Sequence, residues 1–200
     1  MIETSLRDAG FSKIAGVDEA GRGACAGPLV VAAVILKDFD SAELSRVRDS
    51  KELTAKVRKE LYPKIIKSAL AFSVIRIEAE EIDRIGLHKA NLEGMRRAIS
   101  TLEIQPDYIL TDGYQVPGLP SESLAVWKGD QVAQSISAAS ILAKVFRDRI
   151  MDELDVKYPE YGFSQHKGYV TKVHQKAIES IGILPIHRTS YANVAKLIHR

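Results

Sequence analysis

The stretch Gly16-Val17-Asp18-Glu19-Ala20-Gly21-Arg22-Gly23 limits the chain more than any other. It joins a short apolar run, Lys13 to Val17, to a second apolar and β-branched run, Pro28 to Leu36, through two acids and a glycine-permitted turn. Both flanks have the character of strands, so Asp18 and Glu19 are expected to close the first of them. Adjacent side chains on a regular strand point to opposite faces, so two neighbouring acids share one ion only if the backbone twists there. Gly21 and Gly23 provide that freedom, and their bare main chain lets a ligand approach. Arg22 between them suits a phosphate oxygen. The string reads as half of a divalent-metal site, the alternative being a solvated charged turn.

Further along, Thr54 is placed to cap a helix marked by Leu61, Ile65 and Ile66, and Lys51 lies in the polar loop before it, free to reach an anion. Leu70 to Glu78 reads as a third strand, and three strands with short connections suggest an antiparallel meander. Helical periodicity returns from Glu80 to Leu102, with Gly86 dividing it. Two short strands follow, Asp107 to Thr111 and Leu124 to Trp127, the first delivering Asp112 and the second Lys128-Gly129-Asp130. Singly, Asp112 reads as a turn residue and Asp130 as the N-cap of the long helix that runs to about Asp155. Together with Asp18 and Glu19 they are four acids just beyond strands of one α/β domain with a mixed sheet, where such folds gather their sites. Four converging carboxylates repel one another unless cations intervene, and Mg²⁺ or Mn²⁺ suits all-oxygen ligands.

Tyr158-Pro159 breaks the helical pattern, so the chain divides into a domain over 1–157 and a C-terminal extension over 158–200. Residues 141–200 carry 10 Lys and Arg against 6 Asp and Glu, leaving 18 against 20 over 1–140, and four of five histidines lie late, His166, His174, His187 and His199. An acidic body with a cationic tail fits an enzyme of polyanions, and also a solvated amphipathic helix. Cations interleaved with Tyr161, Phe163 and Tyr169 offer a nucleic acid neutralisation and stacking, although Phe163 reads better as packing. A single cysteine, Cys25, excludes an internal disulfide. With no apolar leader and no run near the roughly 20 residues a bilayer requires, a cytoplasmic protein with no membrane partner is expected.

The motifs resemble the ribonuclease HII family: Gly16 to Gly23 with Gly27-Pro28, Asp49-Ser50-Lys51, Thr111-Asp112-Gly113, Lys128-Gly129-Asp130, Ser137 to Lys144 with Arg147-Asp148, His166-Lys167-Gly168-Tyr169 and His187 to Tyr191. Tyr191 stands where Phe is also familiar in that family, a change expected to be harmless. The resemblance implies a ribonuclease H-like five-stranded mixed sheet with a C-terminal helical extension. It implies hydrolysis of RNA in RNA–DNA hybrids, and cutting 5′ of single ribonucleotides in duplex DNA to leave 3′-hydroxyl and 5′-phosphate ends. Asp18, Glu19, Asp112 and Asp130 are then the catalytic and metal-binding acids, with two ions about 3.5–4 Å apart. Gly21, Arg22, Gly23 and Tyr169 are assigned to the 2′-hydroxyl and its junction. Lys51, Lys167 and Arg188 are phosphate-contact candidates, and a monomer is the default. His166 and His187 are expected to buttress loops or touch phosphate rather than act as bases.

Two rivals are weaker. A dinucleotide loop should open a helix, whereas this one leads through Pro28 into a β-branched run. A silent nucleic-acid-binding module gains nothing from four acids that repel phosphates.

Overall fold

A computed structural model describes residues 2–198; His199 of the cationic tail lies outside them. The first hairpin pairs β1 (Ile14–Ala20) with β2 (Leu29–Leu36), and β2 pairs in turn with β3 (Ala69–Ile77), both antiparallel. β4 (Tyr108–Asp112) runs parallel to β1, and β5 (Glu122–Val126) parallel to β4, giving the order β3-β2-β1-β4-β5. The antiparallel meander and the parallel late strands are therefore as the sequence suggests. One boundary differs: β1 does not stop before the two acids but continues in register, with Asp18 opposite Ala32 and Glu19 opposite Val31.

Every residue of β2 is buried, because both sheet faces are covered. On one face α6 (Gln134–Lys157) packs with α2 (Ala55–Ser68), whose N-cap is Thr54. On the other lie α3 (Ala79–Ile85) and α4 (Leu87–Ser100), with Met95, Ala98 and Ile99 against Val17, Val31 and Ala33. The small face Ser135 to Ala139 brings α6 onto β1, so closely that a β-carbon on Gly16 would lie 2.1 Å from the Ser135 carbonyl carbon. Only glycine fits there.

An additional helix, α1 (Ile2–Asp8), precedes the sheet and carries Glu3, which is fully buried. Its carboxylate accepts hydrogen bonds from the Ser135 N–H and hydroxyl, both 2.9 Å, at the α6 N-terminus, where a negative charge is favoured. Asp130 is thus not the cap of the long helix: it sits in the first turn of the short α5 (Gly129–Val132).

The C-terminal segment comprises α7 (Phe163–His166), α8 (Lys172–Ile181) and α9 (Ala192–Ile198). Tyr161, Phe163 and Ile178 form an apolar cluster with Ala26 and Met151 of the sheet-bearing part. Phe163 is fully buried, as its packing role requires. Backbone bonds Cys25 N–H to Gly168 O, 2.9 Å, and Arg188 N–H to Cys25 O, 2.8 Å, stitch the segment beside the Gly21–Gly23 turn. Among the described residues no helix is long and apolar enough to cross a membrane.

Candidate active site

Asp18, Asp112 and Asp130 each offer a carboxylate oxygen within 4.8 Å of the others'. They reach this point from separate elements: β1, the end of β4, and the turn after β5. Parallel pairing of β1 with β4 and β4 with β5 sets their strand ends side by side. Lys128, in the left-handed conformation at φ 53°, turns the chain so that the Gly129 N–H donates to Asp112 Oδ1 at 2.7 Å and Asp130 comes inward. Asp18 Oδ1 accepts its bond from the Glu19 N–H at 2.7 Å.

These carboxyls resist ionisation. Burial, then the charges of Glu19 and Asp112, holds Asp18 well above the usual carboxylate range. Burial pushes Glu19 up to about 7 and Asp130 to about 6, with Asp112 contributing to both. Asp112 is raised as well, chiefly by burial. Three carboxylates so close, two of them buried, cannot all carry charge without compensation, and an all-oxygen donor set matches a hard divalent cation. The residues fit the metal expected of them.

Glu19 is set apart. It faces α4, where fully buried Asn91 donates to its Oε2 at 3.4 Å, while Asp18 faces α6 and Ser140. The strand alternation that forbids two neighbouring acids from sharing a face is retained, and Glu19 approaches the cluster from the side. It lines a cleft of about 360 Å³ with Arg22, Asp49, Lys51, Asp112, Tyr114, Trp127 and Asp130.

The substrate candidates divide. Gly21, Arg22, Gly23, Lys51 and Tyr169 line one continuous groove with Asp18 and Glu19. Gly21 has φ +89°, and a side chain there would strike the buried Arg147 guanidinium. The Tyr169 ring, 38% exposed, lies 3.7 Å from where a Gly23 side chain would begin. Lys51 stands largely exposed with Nζ 4.0 Å from Asp130.

Lys167 and Arg188 do not line that groove, and full burial corrects the assignment of Arg188 as a phosphate contact. The Lys167 ammonium pairs with Asp152 on α6. Arg188 is fully buried, its guanidinium donating to the Gly27 and Arg22 carbonyls and to the Tyr191 hydroxyl. A charge so enclosed braces the loop from beneath. Tyr191 is more than a neutral exchange for Phe, since its hydroxyl donates to Arg22 O at 2.6 Å. Asp49, 7% exposed and facing Asp130, and Asn91 were not singled out as site residues. A buried asparagine in the apolar stripe of α4 was the available signal for the second.

This mixed sheet, with acids converging at the ends of β1 and β4 and beyond β5, defines a nuclease of the ribonuclease H class. Residues 15–194 match the Ribonuclease HII family model. The chain is 54% identical over 193 residues to a ribonuclease HII of Rhodococcus erythropolis, covering 96% of this chain and 85% of that one. It superposes on the crystal structure of ribonuclease H2 from Pyrococcus horikoshii with a TM-score of 0.82 at 31% identity, covering 94% of this chain and 98% of the other. Bst-RNase HIII, crystallised with Mn²⁺, shares the fold at 19% identity, with a TM-score of 0.72 over 98% of this chain and 72% of its own. The chain belongs to the ribonuclease HII family, and is a hydrolase of the RNA in RNA–DNA hybrids.

Proposed function

We propose that the chain is an endonuclease that cuts RNA in RNA–DNA hybrids and also 5′ of single ribonucleotides embedded in duplex DNA. Water adds to phosphorus and the P–O3′ bond breaks, leaving a 3′-hydroxyl and a 5′-phosphate. The observation that carries this reading is the meeting of Asp18, Asp112 and Asp130 within 4.8 Å at the floor of an open groove, with Glu19 at its side. Bound there, two Mg²⁺ or Mn²⁺ ions would activate the water and stabilise the departing oxygen.

The remaining work falls to the groove. A detector for RNA must sense the 2′-hydroxyl. The open main chain of Gly21-Arg22-Gly23 and the Tyr169 ring beside it are suited to that hydroxyl and to the next sugar. Lys51 supplies a cation at the acidic rim. The chain acts as a cytoplasmic monomer, its domain over 1–157 carrying the acids and its extension over 158–200 contributing Tyr169.

The test is to incubate the protein and Asp112→Asn with duplex DNA carrying one ribonucleotide, in Mg²⁺, in Mn²⁺ and in chelator. Metal-dependent cutting 5′ of the ribonucleotide, lost in the variant, supports the reading; cutting in chelator, or retained by the variant, overturns it.

A further inference from the structure

The Tyr169 main chain meets a buried chain of imidazoles, none of which lines the acidic cleft or the groove. His187 Nε2 and His174 Nε2 are 3.0 Å apart, so one carries the proton and the other accepts it. At one end the Leu184 N–H donates to His187 Nδ1 at 2.8 Å; at the other, His174 Nδ1 is 3.0 Å from the Tyr169 carbonyl oxygen. Both contacts are satisfied in one direction only: Leu184 N–H to His187, His187 Nε2–H to His174, and His174 Nδ1–H to Tyr169 O. The reverse order has a competing acceptor and donor, Leu184 O at 3.2 Å from His187 Nδ1 and the Cys25 thiol at 3.6 Å from His174 Nδ1. It would nonetheless set two N–H groups face to face at Leu184 and two lone pairs face to face at Tyr169. Leu184 O already accepts the His187 backbone N–H at 2.9 Å. A buried polar group facing its like is costly, so the first direction prevails.

His166 follows the same logic, its Nδ1 accepting from the Gly168 N–H at 3.2 Å and its Nε2 2.8 Å from Tyr161 O. It stacks on His174 with ring centres 4.3 Å apart. Exposure of His174 and His187 is 0% and 2%. Burial lowers both pKa values, that of His174 to about 4, so both rings are neutral, as a one-proton chain requires.

We propose that His174 is a positioning residue for substrate selection: the ordered imidazole chain grips the Tyr169 carbonyl and so fixes the exposed ring against the Gly21–Gly23 turn. This rests on the reading of Tyr169 as the junction contact. None of these imidazoles lines the cleft or the groove that hold the acids, so the effect falls on which sites are cut.

The first measurement needs no variant: ¹⁵N–¹H correlation of the imidazoles in the intact protein. His174 is expected as the Nδ1–H tautomer, His187 and His166 as Nε2–H; His174 found as Nε2–H overturns the proposal. The second compares cutting at a single ribonucleotide with cutting of a uniform hybrid. His174→Ala is expected to lower that ratio about tenfold, the worth of one lost hydrogen bond. His174→Asn, whose amide stands near the Nδ1 position, is expected to restore most of it. Tyr169→Ala should lower the same ratio, and adding His174→Ala to it should change little further. A ratio lowered by Tyr169→Ala but untouched by His174→Ala, or effects that multiply, overturns the positioning role alone. A ratio that Tyr169→Ala leaves unchanged, with cutting still lost in Asp112→Asn, overturns the junction reading and this inference together while the nuclease stands.

Discussion

Asp18 and Glu19 are consecutive on β1 yet face opposite sides of the sheet, Asp18 toward Ser140 on α6 and Glu19 toward Asn91 on α4. Each is fixed to its side by a strand that runs in register to Ala20. The two acids are therefore not interchangeable. The double exchange Asp18→Glu with Glu19→Asp keeps charge and composition but moves both carboxylates by about one methylene. Hybrid cleavage is expected to fall about a hundredfold, as for misplacements near 1 Å; activity within tenfold of the unmodified protein would contradict fixed roles.

Much of this was legible in the residues. The β-branched runs, the glycine turn and the acids at strand ends give the sheet and the cluster, because hydrophobic period and turn chemistry are local signals. What was not legible depends on partners far away in sequence. Seven-residue α1 carries no strong period, and its purpose emerges only when Glu3 meets Ser135. Arg188 looks like a phosphate ligand until Gly27, Arg22 and Tyr191 enclose it. Asp130 looks like a cap because the true cap lies more than a hundred residues upstream.

The close approach of α6 to β1 makes a stability prediction. Gly16→Ala would place a methyl inside the Ser135 peptide, and neither backbone can yield without parting helix from sheet. Urea unfolding should show destabilisation at or above the upper end of the roughly 1–3 kcal/mol typical of overpacking. A loss below about 0.5 kcal/mol, the range of neutral surface changes, would contradict the packing.

Asp83 on α3 clasps the C-terminal segment, accepting from the N–H and hydroxyl of both Thr189 and Ser190 at 2.5–3.0 Å. Burial pushes its pKa up, but the four hydrogen bonds outweigh it and hold the carboxyl below its ordinary value. A depressed folded-state pKa contributes stability that is complete above the unfolded pKa of about 3.9 and is lost as pH falls through the folded value. Asp83→Asn should therefore be less stable than the parent at pH 7 by roughly 1–3 kcal/mol. The gap should narrow as pH falls below about 4, through the depressed folded value. A gap that is constant with pH would assign the loss to something other than the carboxylate.

Trp127, the single tryptophan, stands 81% exposed on the cleft wall beside Lys128 and Asp130. Its emission should report occupancy of the cleft. Titrating Asp112→Asn with an RNA–DNA hybrid is expected to shift and quench that emission, with the midpoint found by fluorescence anisotropy of a labelled hybrid. Binding seen by anisotropy with no change in emission would place the nucleic acid away from this wall.

The central claim is that Asp18, Asp112 and Asp130 jointly hold a divalent cation, and Mn²⁺ binding followed by electron paramagnetic resonance tests it without reference to cleavage. Each single Asp→Asn change should weaken Mn²⁺ binding by at least about tenfold, since removing one charged ligand forfeits more than about 1.4 kcal/mol. Mn²⁺ affinity equal in the parent and in all three variants would contradict the account.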